Sequence, residues 1–211
     1  MKYLLTHSLL SAWLYSMKDD PFANATTKDT SKEDFMLVLM RKPTPTTESM
    51  QNGIDFENLV TDICRYVSGP EKKIPEQVQK NPWFEPAFMI AERVYGGQFQ
   101  HAATKRVNVD GTDLLLYGRL DALKAGSIYD IKFSTAYERG KYFESTQHKM
   151  YLELVPEADR FTYLISNGND MWTETYRRDE TPSIYPVISG FLKWLEATGM
   201  MVLYKQYWGA K

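Results

Sequence analysis

The chain has 211 residues, 43% of them hydrophobic and 14% aromatic, enough to bury one substantial core and favouring a single domain over two. A net charge of -2 excludes a globally basic nucleic-acid binder, so any nucleic-acid partner has to be met by a local basic surface. The one cysteine, Cys64, excludes an internal disulfide and any four-cysteine cluster held by one chain, and points to a reducing compartment and hence a cytoplasmic location.

From the N-terminus, Met1 to Met17 has an early lysine and several leucines, as secretory signals do. Thr6, His7, Ser8 and Ser11 interrupt the apolar run, however, and no small-x-small cleavage site follows. Leu10, Trp13, Leu14 and Met17 fall at helical spacing, with Ser8 as a capping residue. Polar residues from Asn24 to Asp34 predict an exposed loop into a short helix through Met36, Leu37 and Met40, which Pro43 and Pro45 end. A second helix, Glu48 to Tyr66, carries an apolar stripe of Ile54, Leu59, Ile63 and Tyr66. After a Gly-Pro loop over Val67 to Pro75, a third helix runs from Pro82 to Tyr95 and stops at Gly96-Gly97.

Strands follow. Gln98 to Asn108 and a strand starting at Leu114 flank the hairpin signal Asp110-Gly111, and a second turn at Ala125-Gly126 makes a three-strand meander. If that turn closes symmetrically, Asp121 lies opposite Asp130 and Arg119 opposite Lys132. Alternation then puts these four residues on one face and Leu120, Ala122, Tyr129, Ile131 and Phe133 on the other. The two carboxylates would stand roughly 5 Å apart at Cβ, with the ammonium about 6.6 Å along the strand. Opposed like charges cost energy unless a cation lies between them, and Mg²⁺ favours one or two carboxylates plus water and phosphate oxygens. A solvated polar face with diagonal Asp-Lys pairs is the competing reading of the same spacing.

The next segment, Ser134 to Val155, has helical spacing up to the Pro156 stop and puts Gln147 and Tyr151 on one face with Glu144 a turn earlier. Asn167-Gly168 then joins strands Arg160 to Ser166 and Met171 to Arg178. A last helix, Ser183 to Thr198, carries Ile188, Phe191, Leu192 and Leu195 at core spacing and ends at Gly199. The apolar, aromatic tail from Met200 reads as a strand or packing segment rather than a base-stacking surface. His7, His101 and His148 show no metal-ligand spacing and read as polar surface or core residues, and Cys64 as a small buried one. No P-loop, Rossmann fingerprint, nucleophile elbow or internal repeat is present.

Gly118-Arg119-Leu120-Asp121, Asp130-Ile131-Lys132 and Gln147-His148-Lys149-Met150-Tyr151 together resemble the GxxD, DxK and QxxxY series of the PD-(D/E)xK nuclease superfamily, in the branch of the RecB nuclease domain and phage exonucleases. Gly53 to Glu57 is similar to that branch's Gly-x-x-x-His/Glu segment, with Asp55 and Asp62 as alternatives in another register, and His7 to Asp20 resembles its helical opening. Asp20-Pro21 stands where some relatives have Cys-Pro, so no iron-sulfur cluster is expected.

The resemblance covers about Met50 to Val155 and implies an α+β, restriction-endonuclease-like αβββαβ core. On this division residues 1–47 are an N-terminal helical extension, 48–178 the core, and 179–211 a C-terminal helix and tail of one domain. It implies Mg²⁺- or Mn²⁺-dependent hydrolysis of DNA phosphodiester bonds, as in exonucleases of phage or recombination and repair type. Glu57, Asp121, Asp130 and the carbonyl of Ile131 would be metal ligands, Lys132 would orient the attacking water, and Gln147, Tyr151 and Arg119 would contact the substrate strand. DNA, phage recombination or replication proteins and further copies of the chain are the implied partners, with no membrane. The alternative is a catalytically inactive nucleic-acid-binding or assembly module on the same fold.

Overall fold

The computed structural model describes residues 2–18, 30–70 and 73–210. In chain order the elements are β1 (Lys2–Thr6), α1 (His7–Ser16), α2 (Ser31–Leu39), α3 (Glu48–Ser68), α4 (Glu76–Gln79), α5 (Phe84–Val94), β2 (Gln98–Val109), β3 (Thr112–Lys124), β4 (Ser127–Phe133), α6 (Thr146–Leu154), β5 (Arg160–Ser166), β6 (Met171–Arg177), α7 (Tyr185–Ala197), α8 (Met201–Tyr207) and β7 (Gly209–Ala210). This is an α+β fold on one mixed sheet, ordered β6-β5-β4-β3-β1-β7 with β2 also paired to β3. Among the described residues no helix is long and apolar enough to cross a membrane.

Two core clusters cover the two faces of the sheet. Leu9, Leu10, Met150, Phe191 and Tyr204 from α1, α6, α7 and α8 pack with Leu114, Leu116, Leu120 and Ile128 on one side. Phe56, Val60 and Ile63 of α3 and Ile90 and Val94 of α5 pack with Ala122, Ile131 and Leu164 on the other.

Both predicted two-residue turns form, with positive φ at Asp110 and Gly111 (48° and 79°) and at Ala125 and Gly126 (48° and 74°), as a type I′ hairpin requires. They fix the register from Val109↔Thr112 along the whole of β2 and β3, and from Lys124↔Ser127 to Ala122↔Tyr129 between β3 and β4. There β4 leaves β3 and continues in parallel with β5, while β1 pairs in parallel with β3 from Tyr3↔Leu114 to Thr6↔Tyr117. Because β2 occupies one whole edge of β3, β1 and β4 share the other. Residues 118–121 lie at the fork between them, without a strand partner on that side.

Several expectations are corrected here. The N-terminal segment is a strand before it is a helix, and Thr6, not Ser8, caps α1 by accepting from Leu9 N at 3.2 Å. Residues 1–47 are therefore no mere extension: β1 lies inside the sheet, and β7 from the tail pairs with it. Along α3 the buried face is Phe56, Leu59, Val60, Ile63 and Cys64, whereas Ile54 and Tyr66 are exposed. The tail folds into α8, with Tyr204 and Trp208 buried, so it packs as a helix.

The largest correction is that no helix runs from Ser134. That stretch is a strap of turns up to Ser145, which caps the nine-residue α6 by accepting from Gln147 N at 3.2 Å. Glu144 therefore has no helical relation to Gln147. Residues 24–29 of the loop expected over Asn24 to Asp34, and the Asp20-Pro21 pair, lie outside the described residues, while Ser31 to Asp34 already belong to α2.

Arg178, just past β6, sets the other end of α6. Its guanidinium donates to the carbonyls of Leu152 and Val155 at 2.7 and 2.6 Å, orphan acceptors of the helix C-terminus, and to Ala158 O of the following turn at 2.7 Å. With both ends tied, α6 lies across β3 so closely that a Cβ at Gly118 would stand 2.6 Å from Tyr151 Cε1 and 2.8 Å from Leu154 Cδ1. Gly118→Ala is therefore expected to lift α6 and destabilise the fold by about 1–3 kcal/mol, read as a melting temperature several degrees lower. An unchanged melting temperature would mean that α6 is not seated this tightly.

Candidate active site

The fork gathers the candidate residues from four elements, α3, β3, β4 and α6. Opposite Asp121 on β2, Gln100 has a left-handed φ of 52°, and the Gln100–Asp121 rung is absent from the otherwise continuous β2–β3 register. A non-glycine residue there costs about 1–2 kcal/mol. At this distortion the burial pattern of β3 changes sides: Leu120 packs beneath α6 and Ala122 beneath α3. Strict alternation through Leu120 and Ala122 is thus overruled, although Ala122, Tyr129, Ile131 and Phe133 do share a face.

Asp121 bridges the fork. Its Oδ2 accepts from Ile131 N at 2.8 Å, replacing the backbone acceptor that β4 lost when it left β3. The expected Asp121–Asp130 apposition continues the Ala122↔Tyr129 rung by one step, whereas Arg119 and Lys132 lie beyond the point where the strands part. Asp130 is buried, with Oδ1 accepting from Gln147 Nε2 of α6 and Oδ2 2.8 Å from Lys132 Nζ in an ion pair. Among the described residues no hydrogen-bond donor is aligned on that second oxygen. Glu57 reaches in from α3, held by the side-chain amide of Gln100.

The charges feel one another. Burial, then Asp130 and Glu57, hold the Asp121 carboxyl well above its ordinary value. Glu57 is raised too, by burial first and then by Asp130, against the lowering bond from Gln100. Burial pulls the Lys132 ammonium down, but Asp130 and Asp121 outweigh it and hold it above its ordinary range.

Tyr151 differs from its expected role. It is buried, and its hydroxyl donates to Arg119 O at 3.0 Å, so it satisfies β3 at the fork instead of facing a substrate strand. Gln147 likewise orients Asp130, and only the exposed side chain of Arg119 points to bulk solvent. Asp55 and Asp62 are engaged with Gln51 and Arg65 at the α3 surface, away from the fork.

Two residues without a sequence signal also belong to the site. His7 follows β1 directly, its ring edge-on to Tyr151 at 5.3 Å. Burial and Lys132 push its pKa down to about 4, and its buried Nδ1 has no partner among the described residues, a cost of about 1–3 kcal/mol. Tyr142, on the strap, is close enough for the charges of Lys132 and Asp130 to act on its phenol. His101 is exposed, and His148 is buried against Tyr176.

A divalent cation suits this arrangement. Among the described residues no three His, Cys, Asp or Glu side chains form a closed cage. Two crowded carboxylates, one with an oxygen lacking a hydrogen bond, suit an ion that keeps several waters or phosphate oxygens.

No family model matches this chain and no curated protein matches it. Among solved structures it is similar to SSO0001, at 16% identity and a TM-score of 0.42 over 67% of this chain and 74% of that one. It is also similar to Scheffersomyces stipitis Rai1, at 11% identity and a TM-score of 0.34 over 93% of this chain and 61% of that one. Likenesses this distant carry no argument, and the functional reading rests on the fork.

Raised carboxyl pKa values give the site a pH signature. A carboxyl whose folded pKa lies above its unfolded value of about 4 favours the folded state at low pH, and that stability is lost as pH rises through the folded value. Metal-free protein should lose stability from pH about 4 upward through the raised value of Asp121. Asp121→Asn keeps an acceptor for Ile131 N and should flatten this slope and raise the neutral-pH melting temperature. A slope unchanged by the substitution would contradict the buried-carboxylate geometry.

Proposed function

We propose that the protein is a metal-dependent nuclease of the PD-(D/E)xK type that hydrolyses phosphodiester bonds in DNA. The observation that carries this reading is the convergence at one sheet fork of Asp121, Asp130 and Lys132 with Glu57 from α3 and Gln147 from α6. Glu57 comes from a helix more than sixty residues before Asp121, while Asp121, Asp130, Lys132 and Gln147 follow one another through the β3–β4 hairpin and into α6.

Asp121 and Asp130, with Glu57 and the carbonyl of Ile131 beside them, would hold Mg²⁺ or Mn²⁺. A divalent ion held there would supply a bound water of lowered pKa and polarise the scissile phosphate. The remaining work falls to the chain. Gln147 fixes the rotamer of Asp130, and Tyr151 holds β3 at the register that aims Asp121 across the fork. Glu57 is held in place by the kinked Gln100. Lys132, kept protonated by its carboxylate neighbours, is a donor and not a base. It orients the attacking water and offsets charge as the water oxygen bonds to phosphorus and the leaving oxygen departs. Arg119, exposed at the mouth of the fork, meets the backbone of the substrate strand.

Lys132→Gln separates chemistry from folding. Removing the counter-charge of buried Asp130 should cost on the order of 1–3 kcal/mol of stability. Mn²⁺ should recover much of that loss, because it binds the folded state and supplies positive charge at the same place. Cleavage of a DNA duplex should stay about 10²-fold or more below wild type even with Mn²⁺ saturating. A variant that regains turnover along with stability would remove Lys132 from the chemistry, and a wild-type protein inert with Mg²⁺ and Mn²⁺ on single- and double-stranded DNA would overturn the reading.

A further inference from the structure

The strap between β4 and α6 is built around one carboxylate. Glu174 of β6 accepts from the Tyr137 hydroxyl at 2.8 Å, from Tyr142 N at 3.2 Å, from Gly140 N at 3.3 Å and from the Tyr176 hydroxyl. Lys141 closes the strap on itself through Ser134 Oγ and Ala136 O at 2.8 and 2.9 Å. The Tyr142 ring stacks on Tyr163 with centroids 4.4 Å apart and planes 20° apart. Tyr163 is the β5 residue paired with Asp130, so the phenol rests on the strand next to the proposed catalytic one.

This much anchoring leaves the business end of the side chain unused. The Tyr142 ring is half-buried and stacked, yet among the described residues its hydroxyl makes no hydrogen bond, unlike those of Tyr137 and Tyr176 beside it, which donate to Glu174. A stacking role alone needs no hydroxyl. The stack on Tyr163, the β5 partner of Asp130, sets the ring beside the Asp130–Lys132 ion pair, with Glu174 as a further charged neighbour, and an anionic oxygen held by that ammonium would come within reach.

We propose that Tyr142 is a further substrate-contacting residue, its hydroxyl donating a hydrogen bond to a phosphate oxygen of the nucleic-acid strand bound above Lys132. This rests on the nuclease reading of the fork and extends it: the strap becomes the wall that fixes the phosphate opposite the carboxylates, and Glu174 a positioning residue for Tyr142. Burial raises the phenol pKa, so the proton is available to donate at neutral pH.

The test is Tyr142→Phe, which keeps the ring stack and removes only the hydroxyl. Because that hydroxyl has no protein partner, the melting temperature should be unchanged. Affinity for a fluorescein-labelled DNA duplex with a single-stranded overhang, measured by anisotropy in Ca²⁺, should fall about tenfold. Glu174→Gln should lower affinity as well and make the strap more sensitive to protease. Affinity unchanged in Tyr142→Phe, or a fall matched by lost stability, would overturn the proposal. Wild-type cleavage in Mn²⁺ is scored separately: protein that binds DNA without cutting it defeats the nuclease reading, while the phosphate contact still stands or falls on the affinity ratio. Protein that binds no DNA defeats both.

Discussion

The hydrogen bond from Ile131 N to the carboxylate of Asp121 is the constraint on which the site depends. At the fork β3 exchanges one neighbour for another, which strips backbone groups of their ladder partners in a region too buried to leave them bare. Side chains make up the difference, Asp121 on the β4 side and the Tyr151 hydroxyl on the carbonyl of Arg119. An acid is thereby locked across the gap, next to a second acid on the facing strand. His7 follows β1 directly at this opening, and Glu57 from α3 and Gln147 from α6 reach inward from opposite faces of the sheet.

Electrostatically the arrangement is poor for stability. Three carboxyls crowd one another beside a single ammonium, two of them raised by burial and mutual repulsion, and His7 is kept neutral with an unpartnered nitrogen. A left-handed Gln100 adds backbone strain at the same spot. Buried ion pairs of this kind rarely exceed their desolvation cost, so packing of the two core clusters on either side must carry the fold. Costs concentrated at one fork are a common mark of binding and catalytic sites.

Much of this was legible because it is local. Asp110-Gly111 and Ala125-Gly126 fix the registers of β2, β3 and β4, and with them the neighbourhood of Asp121 and Asp130. The helices α3, α5 and α7 announce themselves by apolar spacing and by their stops. What escaped depends on distant partners. Lys2–Thr6 is five residues of an apolar run whose strand character comes from pairing with Leu114 to Tyr117, more than a hundred positions away. Ser134–Ser145 has helical spacing, but Glu174 draws Tyr137, Gly140 and Tyr142 into a strap, and neither Tyr142 nor His7 carries a motif to mark it. The change of face between Leu120 and Ala122 arises from a kink in the neighbouring strand at Gln100, which alternation along β3 alone cannot register.

On the function proposed above, the Asp121–Asp130 gap at the sheet fork would hold a divalent cation. A crystal of the protein soaked in Mn²⁺, with data collected for the manganese anomalous signal, tests it most directly. The expected result is one strong anomalous peak between the two carboxylates, absent from a crystal of Asp130→Asn treated the same way. No peak at the fork at saturating Mn²⁺, or a peak that persists when Asp130 is replaced, would contradict the account.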